Sequence, residues 1–277
     1  MERWQRRQND EPRELERRAF LLAGLMASLG AMVPIRALAA PEPGAIPILA
    51  YHRFDPARPG PTTVTVKTFE SQVNQLAGLG YRVVRLREAI AALHRPATGT
   101  TRRAAITVDD GHRSVYAVLF PLIRKHSMPV TLFIYPSAIA NADYAMTWDQ
   151  LREMQDSGLV DVQSHTYWHP NFNVERRRRS RESYRAFVDD QLLRSKAILE
   201  ARLGKKIDIL AWPFGIVNAE LEMAARHAGY VAAVAYQGGP ARPGVDLLAL
   251  PRIPISEADR GVRFEALIGV KGKTARQ

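Results

Sequence analysis

Residues 104–111 read Ala-Ala-Ile-Thr-Val-Asp-Asp-Gly, an apolar run that ends in two carboxylates and a glycine. A short apolar run of this kind is typical of a buried strand, and the charged pair with the glycine marks its carboxyl end. Residues 114–125, which follow at once, have apolar side chains at helical spacing. A strand followed directly by a helix is the unit from which parallel α/β folds are built.

The same alternation of strand and helix extends from residue 46 to residue 255. Strand-like runs include 46–51, 130–135 and 207–212, and helix-like segments include 67–79 and 219–228. Two helices carry start signals, a capping box formed by Thr147 and Gln150 and a cap at Asn218. Repeated β/α units imply a parallel sheet, and we predict an α/β fold, an irregular (β/α) barrel of about seven strands.

The composition fits one such domain and restricts its chemistry. The 277 residues are 46% hydrophobic and 24% charged, which is ordinary for a globular protein and argues against disorder or a multi-span membrane protein. The chain has no cysteine. Disulfides, thiolate ligands and a cysteine nucleophile are therefore excluded, and any metal must be held by histidine and carboxylate side chains.

An export signal is predicted at the amino terminus, over residues 1–40. After Arg17 and Arg18 the chain stays apolar and uncharged to Ile35, and the segment closes on Ala-Leu-Ala-Ala at residues 37–40. The paired arginines resemble a twin-arginine signal, with cleavage near Ala39 or Ala40 and export to the periplasm or the cell exterior. An uncleaved membrane anchor is the alternative, although the apolar run is short for a membrane span.

The formal charge is +11, and a basic cluster lies at Arg176–Arg179. Such a cluster could bind the phosphates of nucleic acid. It also fits a solvated face at the start of an amphipathic helix that runs to Leu203, because apolar residues recur through that stretch at helical spacing. Aromatic residues are not interleaved with the arginines of this cluster, as they would be in a surface that binds single-stranded nucleic acid. The predicted export of the protein also argues against a role in nucleic-acid binding. We therefore predict no nucleic-acid partner.

Ionisable side chains collect where strands end, which is where parallel α/β folds carry their reactive residues. Asp109 and Asp110 end one strand, and His165 and His169 follow another. The histidines are four residues apart, which on helix-like backbone places both rings on one side. Two imidazoles and a carboxylate form a typical hydrolytic metal site, and the second carboxylate can accept a proton from water. The alternatives are polar rim histidines and a helix cap at one aspartate.

Three strand-end stretches carry a family resemblance. They are Thr-Val-Asp-Asp-Gly at 107–111, Ser-His-Thr-Tyr-Trp-His-Pro at 164–170 and Trp-Pro-Phe-Gly at 212–215. Together they resemble the motifs of NodB-type polysaccharide deacetylases, carbohydrate esterase family four. The resemblance implies that residues 41–277 form a NodB-type barrel, a metal-dependent hydrolase that removes N-acetyl groups from N-acetylglucosamine-containing polysaccharide and releases acetate.

The resemblance also implies roles for single residues. It makes Asp109 the general base and Asp110, His165 and His169 the ligands of a divalent metal, usually Zn2+ and otherwise Co2+ or Ni2+. It assigns the backbone N–H of Phe214 to the oxyanion of the tetrahedral intermediate, where a donor stabilises the charge that develops.

The chain departs from the family pattern at two points. Residues 247–255 lack the late histidine that usually serves as general acid. A subgroup that includes deacetylases of biofilm poly-N-acetylglucosamine has an early Tyr-His motif, which Tyr51-His52 resembles, and this implies His52 as the acid that protonates the departing amine. Ala211 stands where an arginine often contacts the base, and Arg252 is the candidate to orient that base instead.

Aromatic residues within or beside the motifs are candidate sugar contacts. We predict this role for Trp168, Trp212, Phe214 and Tyr51, with core packing as the alternative for the tryptophans. The nearest other function is an O-acetyl esterase acting on an acetylated glycan. A non-catalytic glycan-binding protein on the same fold is the alternative from another class. The predicted partner is acetylated polysaccharide, with no stable membrane span after signal cleavage.

Overall fold

Parallel strands form the frame of the computed structural model, which describes residues 44–94 and 101–270. The strands are β1 Ile48–Tyr51, β2 Arg53–Asp55, β3 Thr63–Thr65, β4 Tyr81–Val83, β5 Arg102–Asp109, β6 Val130–Ile134, β7 Val160–Ser164, β8 Ile209–Ala211, β9 Ala232–Ala235, β10 Leu250–Pro251 and β11 Ile253–Pro254. The helices are α1 Val66–Gly78, α2 Leu86–Leu93, α3 Phe120–Lys125, α4 Trp148–Asp156, α5 Phe172–Arg178, α6 Arg181–Leu203, α7 Ala219–His227 and α8 Val262–Leu267. The predicted export signal lies outside the described residues.

One sheet follows the order β10-β9-β8-β7-β6-β5-β1-β11, with β4 paired to β5. Every pairing along this order is parallel. β10 and β11 are separated only by Arg252, and they pair with β9 and β1 respectively. Residues 250–254 therefore join the two edges of the sheet and nearly close a barrel, which confirms the predicted irregular (β/α) barrel. A small separate sheet of β2 and β3 was not predicted.

Side chains along each strand alternate between the barrel interior and the surrounding helices. Ala105, Phe133 and Ile209 belong to an inner apolar cluster. Leu49 and Ile106 belong to a second cluster with helix residues. The same alternation continues to the carboxyl ends of the strands. There the inward polar positions are His52, Asp109, Tyr135, His165, Tyr236 and Arg252, so these ends direct six polar side chains to one rim.

Helix starts follow the local signals in the sequence. Thr147 and Gln150 form the predicted capping box of α4, and Asn218 caps α7 by accepting a hydrogen bond from the backbone of Leu221. The basic cluster departs from the prediction, since its arginines end the short helix α5 and the long helix begins only after Ser180. Arg179 is extended, and the Ser180 hydroxyl caps α6, so the chain breaks between the two helices.

Within residues 44–94 and 101–270, no helix is both long enough and apolar enough to span a membrane.

Candidate active site

A buried ion pair lies at the carboxyl end of β5. Both guanidinium Nη atoms of Arg252 donate to the carboxylate of Asp109, each at 2.7 Å, and both side chains are fully buried. Burial alone would raise the pKa of Asp109, but the positive charge of Arg252 outweighs it and holds that pKa well below its ordinary value. Asp109 is therefore ionised at neutral pH, and the two parallel hydrogen bonds from Arg252 fix the orientation of its carboxylate.

A tyrosine hydroxyl joins this carboxylate to a histidine. Tyr236 donates to Asp109 Oδ2 at 2.8 Å, and its oxygen lies 3.1 Å from His52 Nε2. A tyrosine hydroxyl has one hydrogen, which here goes to the carboxylate. His52 must therefore donate its Nε2–H to the Tyr236 oxygen. The result is a continuous chain of hydrogen bonds from His52 to Asp109.

Three further side chains form a tight triangle beside this chain. The Nε2 atoms of His165 and His169 each lie 3.7 Å from Asp110 Oδ1, and one ligand atom from each of the three residues lies within 4.8 Å of the other two. His165 Nε2 is also 3.8 Å from Asp109 Oδ2. A cation with bonds of about 2.0–2.2 Å can bridge atoms at such separations. The triangle thus fits a divalent metal.

Hydrogen bonding and burial prepare both imidazoles for that role. His165 Nδ1 lies 2.7 Å from the carbonyl oxygen of Ala211 and donates to it, which leaves the Nε2 lone pair directed at the triangle. Burial lowers the pKa of His165, and burial together with His165 lowers the pKa of His169 to about 4. Both rings are therefore neutral at neutral pH, which is the form that binds metal.

The backbone that brings the two histidines together is not helical, contrary to the expectation from their spacing. Thr166 and His169 have positive φ angles of 66° and 65°, and Asp110 has one of 73°. Residues other than glycine rarely adopt this conformation, and it is characteristic of strained functional sites. An irregular loop, and not a helical turn, therefore places both rings on one side, with their centroids 4.7 Å apart.

Two of the predicted sugar contacts lie in the core, which corrects that prediction. Trp212 is fully buried, and its indole N–H donates to the carbonyl of Leu248 at 2.8 Å. Tyr51 is also fully buried, and its hydroxyl donates to Gln72 of α1. Both follow inward-facing residues by one position and so point toward the helices. Neither side chain can contact a glycan at the rim.

The other two aromatic candidates lie at the surface beside the triangle. Trp168 and Phe214 are 41% and 55% exposed, and the Phe214 ring centroid is 4.6 Å from that of His169. Gly215 allows this arrangement, because its φ is 68° and a Cβ there would lie 2.5 Å from the backbone nitrogen of Tyr236. The Phe214 turn is thereby packed directly against the segment that carries Tyr236.

Tyr236 is the site residue that the sequence interpretation missed. It follows β9 directly and continues the inward positions Ala232 and Val234. The strand-end rule that selected Asp109 and His165 applies equally to this position. It was overlooked because the surrounding run, Val-Ala-Ala-Val-Ala-Tyr-Gln-Gly-Gly, has no ionisable neighbour to draw attention to it.

Comparisons with known proteins agree with this geometry. Residues 97–233 match the family model described as polysaccharide deacetylase. The chain is 25% identical over 210 residues to a poly-beta-1,6-N-acetyl-D-glucosamine N-deacetylase of Staphylococcus epidermidis, covering 74% of this chain and 71% of the relative.

Two solved structures are similar in fold. The Streptococcus pyogenes deacetylase PplD in complex with acetate superposes with a TM-score of 0.71 at 23% identity, covering 83% of this chain and 99% of that one. IcaB from Ammonifex degensii also gives a TM-score of 0.71, at 24% identity and covering 80% and 96%. At these sequence identities, the structural similarity establishes the fold alone.

A (β/α) barrel whose rim holds a buried carboxylate beside a histidine and aspartate triangle is an architecture suited to metal-assisted hydrolysis. The family match and the related sequences make the assignment more specific. The chain belongs to the polysaccharide deacetylase family, in its NodB-type group, and is an enzyme of that family.

Proposed function

We propose that this enzyme hydrolyses N-acetyl groups of N-acetylglucosamine units in a polysaccharide and releases acetate. The observation that carries the proposal is the position of the Asp109 carboxylate beside the triangle of Asp110, His165 and His169, within 3.8 Å of His165 Nε2. A hydrolytic reaction needs a proton acceptor next to the point where water is activated. The name of the Staphylococcus epidermidis relative supports poly-N-acetylglucosamine as the substrate class.

Asp110, His165 and His169 would hold one divalent metal, and Zn2+ suits this donor set best, with Co2+ or Ni2+ as alternatives. When bound, such an ion polarises the acetyl carbonyl and lowers the pKa of water. The neutral imidazoles and the hydrogen bond from His165 to the Ala211 carbonyl support this ligand set.

Asp109 would act as general base. It accepts a proton from the water whose oxygen attacks the acetyl carbon, and Arg252 keeps the carboxylate ionised and aimed throughout. The backbone N–H of Phe214 would donate to the oxyanion that forms at the same carbon.

His52 would act as general acid, with Tyr236 linking it to the base. The general acid is the imidazolium form of His52, which carries two N–H groups, so that one can donate to the Tyr236 oxygen while the other is available to the amine. As the carbon–nitrogen bond breaks, the imidazolium would give that second proton to the amine nitrogen and become neutral, and the products are free amine and acetate. Asp109 would then release to solvent the proton taken from water, and His52 would take one from solvent, which restores both groups.

The predicted signal at residues 1–40 leads us to propose export to the periplasm or the cell exterior, where the acetylated polysaccharide would be the partner. Twin-arginine export would suit a protein that folds before it crosses the membrane. The absence of cysteine from the whole chain is compatible with either an oxidising or a reducing compartment.

The proposal is tested by acetate release from a panel of acetylated glycans with Zn2+, Co2+ or Ni2+ supplied. The panel contains β-1,4-linked and β-1,6-linked N-acetylglucosamine oligomers and acetylated xylan. We expect release from the N-acetylated oligomers, and release from xylan alone would identify an O-acetyl esterase instead. Glycan binding without any acetate release would identify a non-catalytic binding protein.

A pair of matched variants sharpens the test. Asp109→Asn keeps an oxygen for Arg252 but cannot accept the proton from water, so activity should fall to background. Asp149→Asn makes the same change at a side chain that is 89% exposed on α4, and it should leave activity unchanged. Equal activity in wild type and Asp109→Asn would overturn the proposed base. Circular dichroism and thermal unfolding establish that both variants are folded.

A further inference from the structure

A cavity of about 500 Å3 lies between α5, α6 and α7, and the proposed mechanism does not use it. Its volume falls within the range of small-molecule sites. All of its lining residues belong to these three helices and none to a strand. The ionisable ones are Arg176, Arg181, Arg185, Asp189, Glu220 and His227. This lining suits a charged ligand better than a neutral one.

Two of the arginines are held beside one carboxylate. The Nε atoms of Arg176 and Arg185 each lie 3.5 Å from an oxygen of Glu220. The guanidinium carbon of Arg176 also lies 5.1 Å from the centroid of the Tyr184 ring, a cation–π contact that supports this side chain. Within residues 44–94 and 101–270, the Nη groups of both arginines make no hydrogen bond. Paired guanidinium N–H groups are the donors that best fit phosphate oxygens.

Arg181 brings a third guanidinium group to the same end of the cavity. It has no hydrogen bond or ion pair to any residue that the structure describes. Arg181 is the first residue of α6, and Ala219, the first residue of α7, also lines the cavity. The amino-terminal end of a helix carries partial positive charge. Glu220 supplies one negative charge against three arginines and two helix starts, so this end is positive.

The helices α6 and α7 run in the same direction along the cavity. Near their starts, Arg185 of α6 contacts Glu220 of α7. Further along, the hydroxyl of Tyr230, which lies just after α7, donates to the carbonyl of Leu192 of α6 at 3.1 Å. Positions along either helix therefore correspond to positions along the cavity.

The other end of the cavity favours positive charge. Asp189 lies about 12 Å along the α6 axis from Arg181, and it makes no hydrogen bond or ion pair with the described part of the chain. It is one helical turn from Arg185, and these two side chains line the cavity without pairing with each other. His227 ends α7, where a helix carries partial negative charge. Opposite charges thus face one cavity from its two ends.

A zwitterionic phosphate ester matches this arrangement. Its phosphate oxygens accept from guanidinium groups, and its ammonium group donates to a carboxylate. The apolar side chains of Val188 and Met223 line the cavity as well and can pack against the short hydrocarbon link between the two charges. A simple anion would leave Asp189 without a partner, and a polyanion would be repelled by it.

We propose that this cavity binds a zwitterionic phosphate ester of the phosphoethanolamine type, with its phosphate at the three arginines and its ammonium group at Asp189. A soluble ester and a lipid headgroup present the same two charges, so this chemistry defines the ligand class. The assignment is independent of the proposed hydrolysis, because no lining residue belongs to the metal triangle or to the hydrogen-bond chain that ends at Asp109.

The test is calorimetry of the full chain with O-phosphoethanolamine and with glycerol phosphate, which has the phosphate but lacks the ammonium group. Arg181→Gln should weaken binding of both esters about 10-fold, because it removes a charge-assisted contact. Asp189→Asn should weaken only the binding of phosphoethanolamine, by about 3-fold, since an exposed ion pair contributes modestly. Wild type should bind phosphoethanolamine about 3-fold more tightly than glycerol phosphate for the same reason.

Arg177→Gln and Asp190→Asn are the matched controls. Each removes the same charge from an exposed neighbour that does not line the cavity, and both should bind the esters as wild type does. Thermal unfolding establishes that all four variants are folded. Phosphate bound at the metal triangle would be unaffected by any of these substitutions, so it cannot produce the expected differences.

Vesicles distinguish the two sources of the ligand. Flotation with phosphatidylcholine vesicles that contain phosphatidylethanolamine, lost in Arg181→Gln but not in Arg177→Gln, would identify a lipid headgroup, whereas binding of the soluble ester alone would identify a soluble ligand. Either result supports the site. Absence of binding in wild type, or equal binding in Arg181→Gln and Arg177→Gln, would overturn it. Equal affinity of wild type for the two soluble esters would overturn the assignment of the ammonium group to Asp189.

Discussion

The substitution Tyr236→Phe removes a single hydroxyl that lies between the proposed base and the proposed acid. The hydroxyl donates to Asp109 at 2.8 Å and accepts from His52 at 3.1 Å. Asp109 keeps both bonds from Arg252, so its charge remains paired. The change therefore interrupts the hydrogen-bond chain and leaves the ion pair intact.

The size of the effect follows from the bonds removed. A hydrogen bond to a charged group contributes about 1.5–3 kcal/mol. If that amount is lost from the transition state, kcat should fall about 10-fold to 100-fold, since about 1.4 kcal/mol corresponds to a factor of ten. KM should change little, because the hydroxyl contacts the base and the acid and not the substrate.

The assay measures acetate release from an N-acetylglucosamine oligomer and from an aryl acetate, with metal content determined in parallel. The aryl ester should lose less than the amide, because a phenolate leaves without needing the proton that an amine requires. Tyr51→Phe is the matched control, since it removes the same atom from a tyrosine that is fully buried in the core and whose hydroxyl bonds to Gln72. Unchanged kcat in Tyr236→Phe, or a loss confined to KM, would refute the proposed link.

Three further predictions follow from the site, the core and the amino terminus. His52→Ala should keep its metal and lower kcat on amides by about 10²–10⁴-fold, with a smaller loss on an aryl acetate; equal losses on the two substrates would remove His52 as the acid. The pKa of Asp259 is lowered because hydrogen bonds from Ser256 and Arg263 outweigh the effect of burial, so the unfolded state binds more protons and the stabilisation is lost as pH falls below about 4. Asp259→Asn should therefore lower the free energy of unfolding at pH 7 by about 1–3 kcal/mol, and that difference should shrink at pH 3, which denaturant titrations would measure. Replacing the twin arginines of the predicted signal by lysines should trap the precursor in the cytoplasm, and unchanged export in cell fractionation would point to the general secretory route.

Most of the barrel could be predicted because its inner strands are short apolar runs that recur between helices of ordinary length. The β2 and β3 strands could not, since each has only three residues and the alternation of apolar and polar side chains is too brief to register. The closure of the barrel through residues 250–254 also could not be predicted from the sequence. It depends on two strands of two residues each on either side of Arg252, paired with opposite edges of the sheet.

The site illustrates what strand-end position can and cannot predict. The triangle and its neighbouring carboxylate stood out because ionisable residues ended apolar runs. Trp212 and Tyr51 were misassigned because nearness to a motif in sequence does not determine which face of the strand a side chain occupies. Tyr51 and Trp212 each lie one position after an inward-facing residue, so their side chains point toward the helices. Tyr236, which the sequence interpretation missed, lies on the same inward face as Asp109.

We propose that a single metal, held by Asp110, His165 and His169, makes this protein a deacetylase. Titration of chelator-treated protein with Zn2+ tests this, with bound metal and acetate release from an N-acetylglucosamine oligomer measured on the same samples. We expect acetate release to rise in proportion to bound metal and to saturate at one ion per chain, and His165→Ala to lose both together. Full acetate release from metal-free protein, or undiminished metal binding and activity in His165→Ala, would contradict the claim.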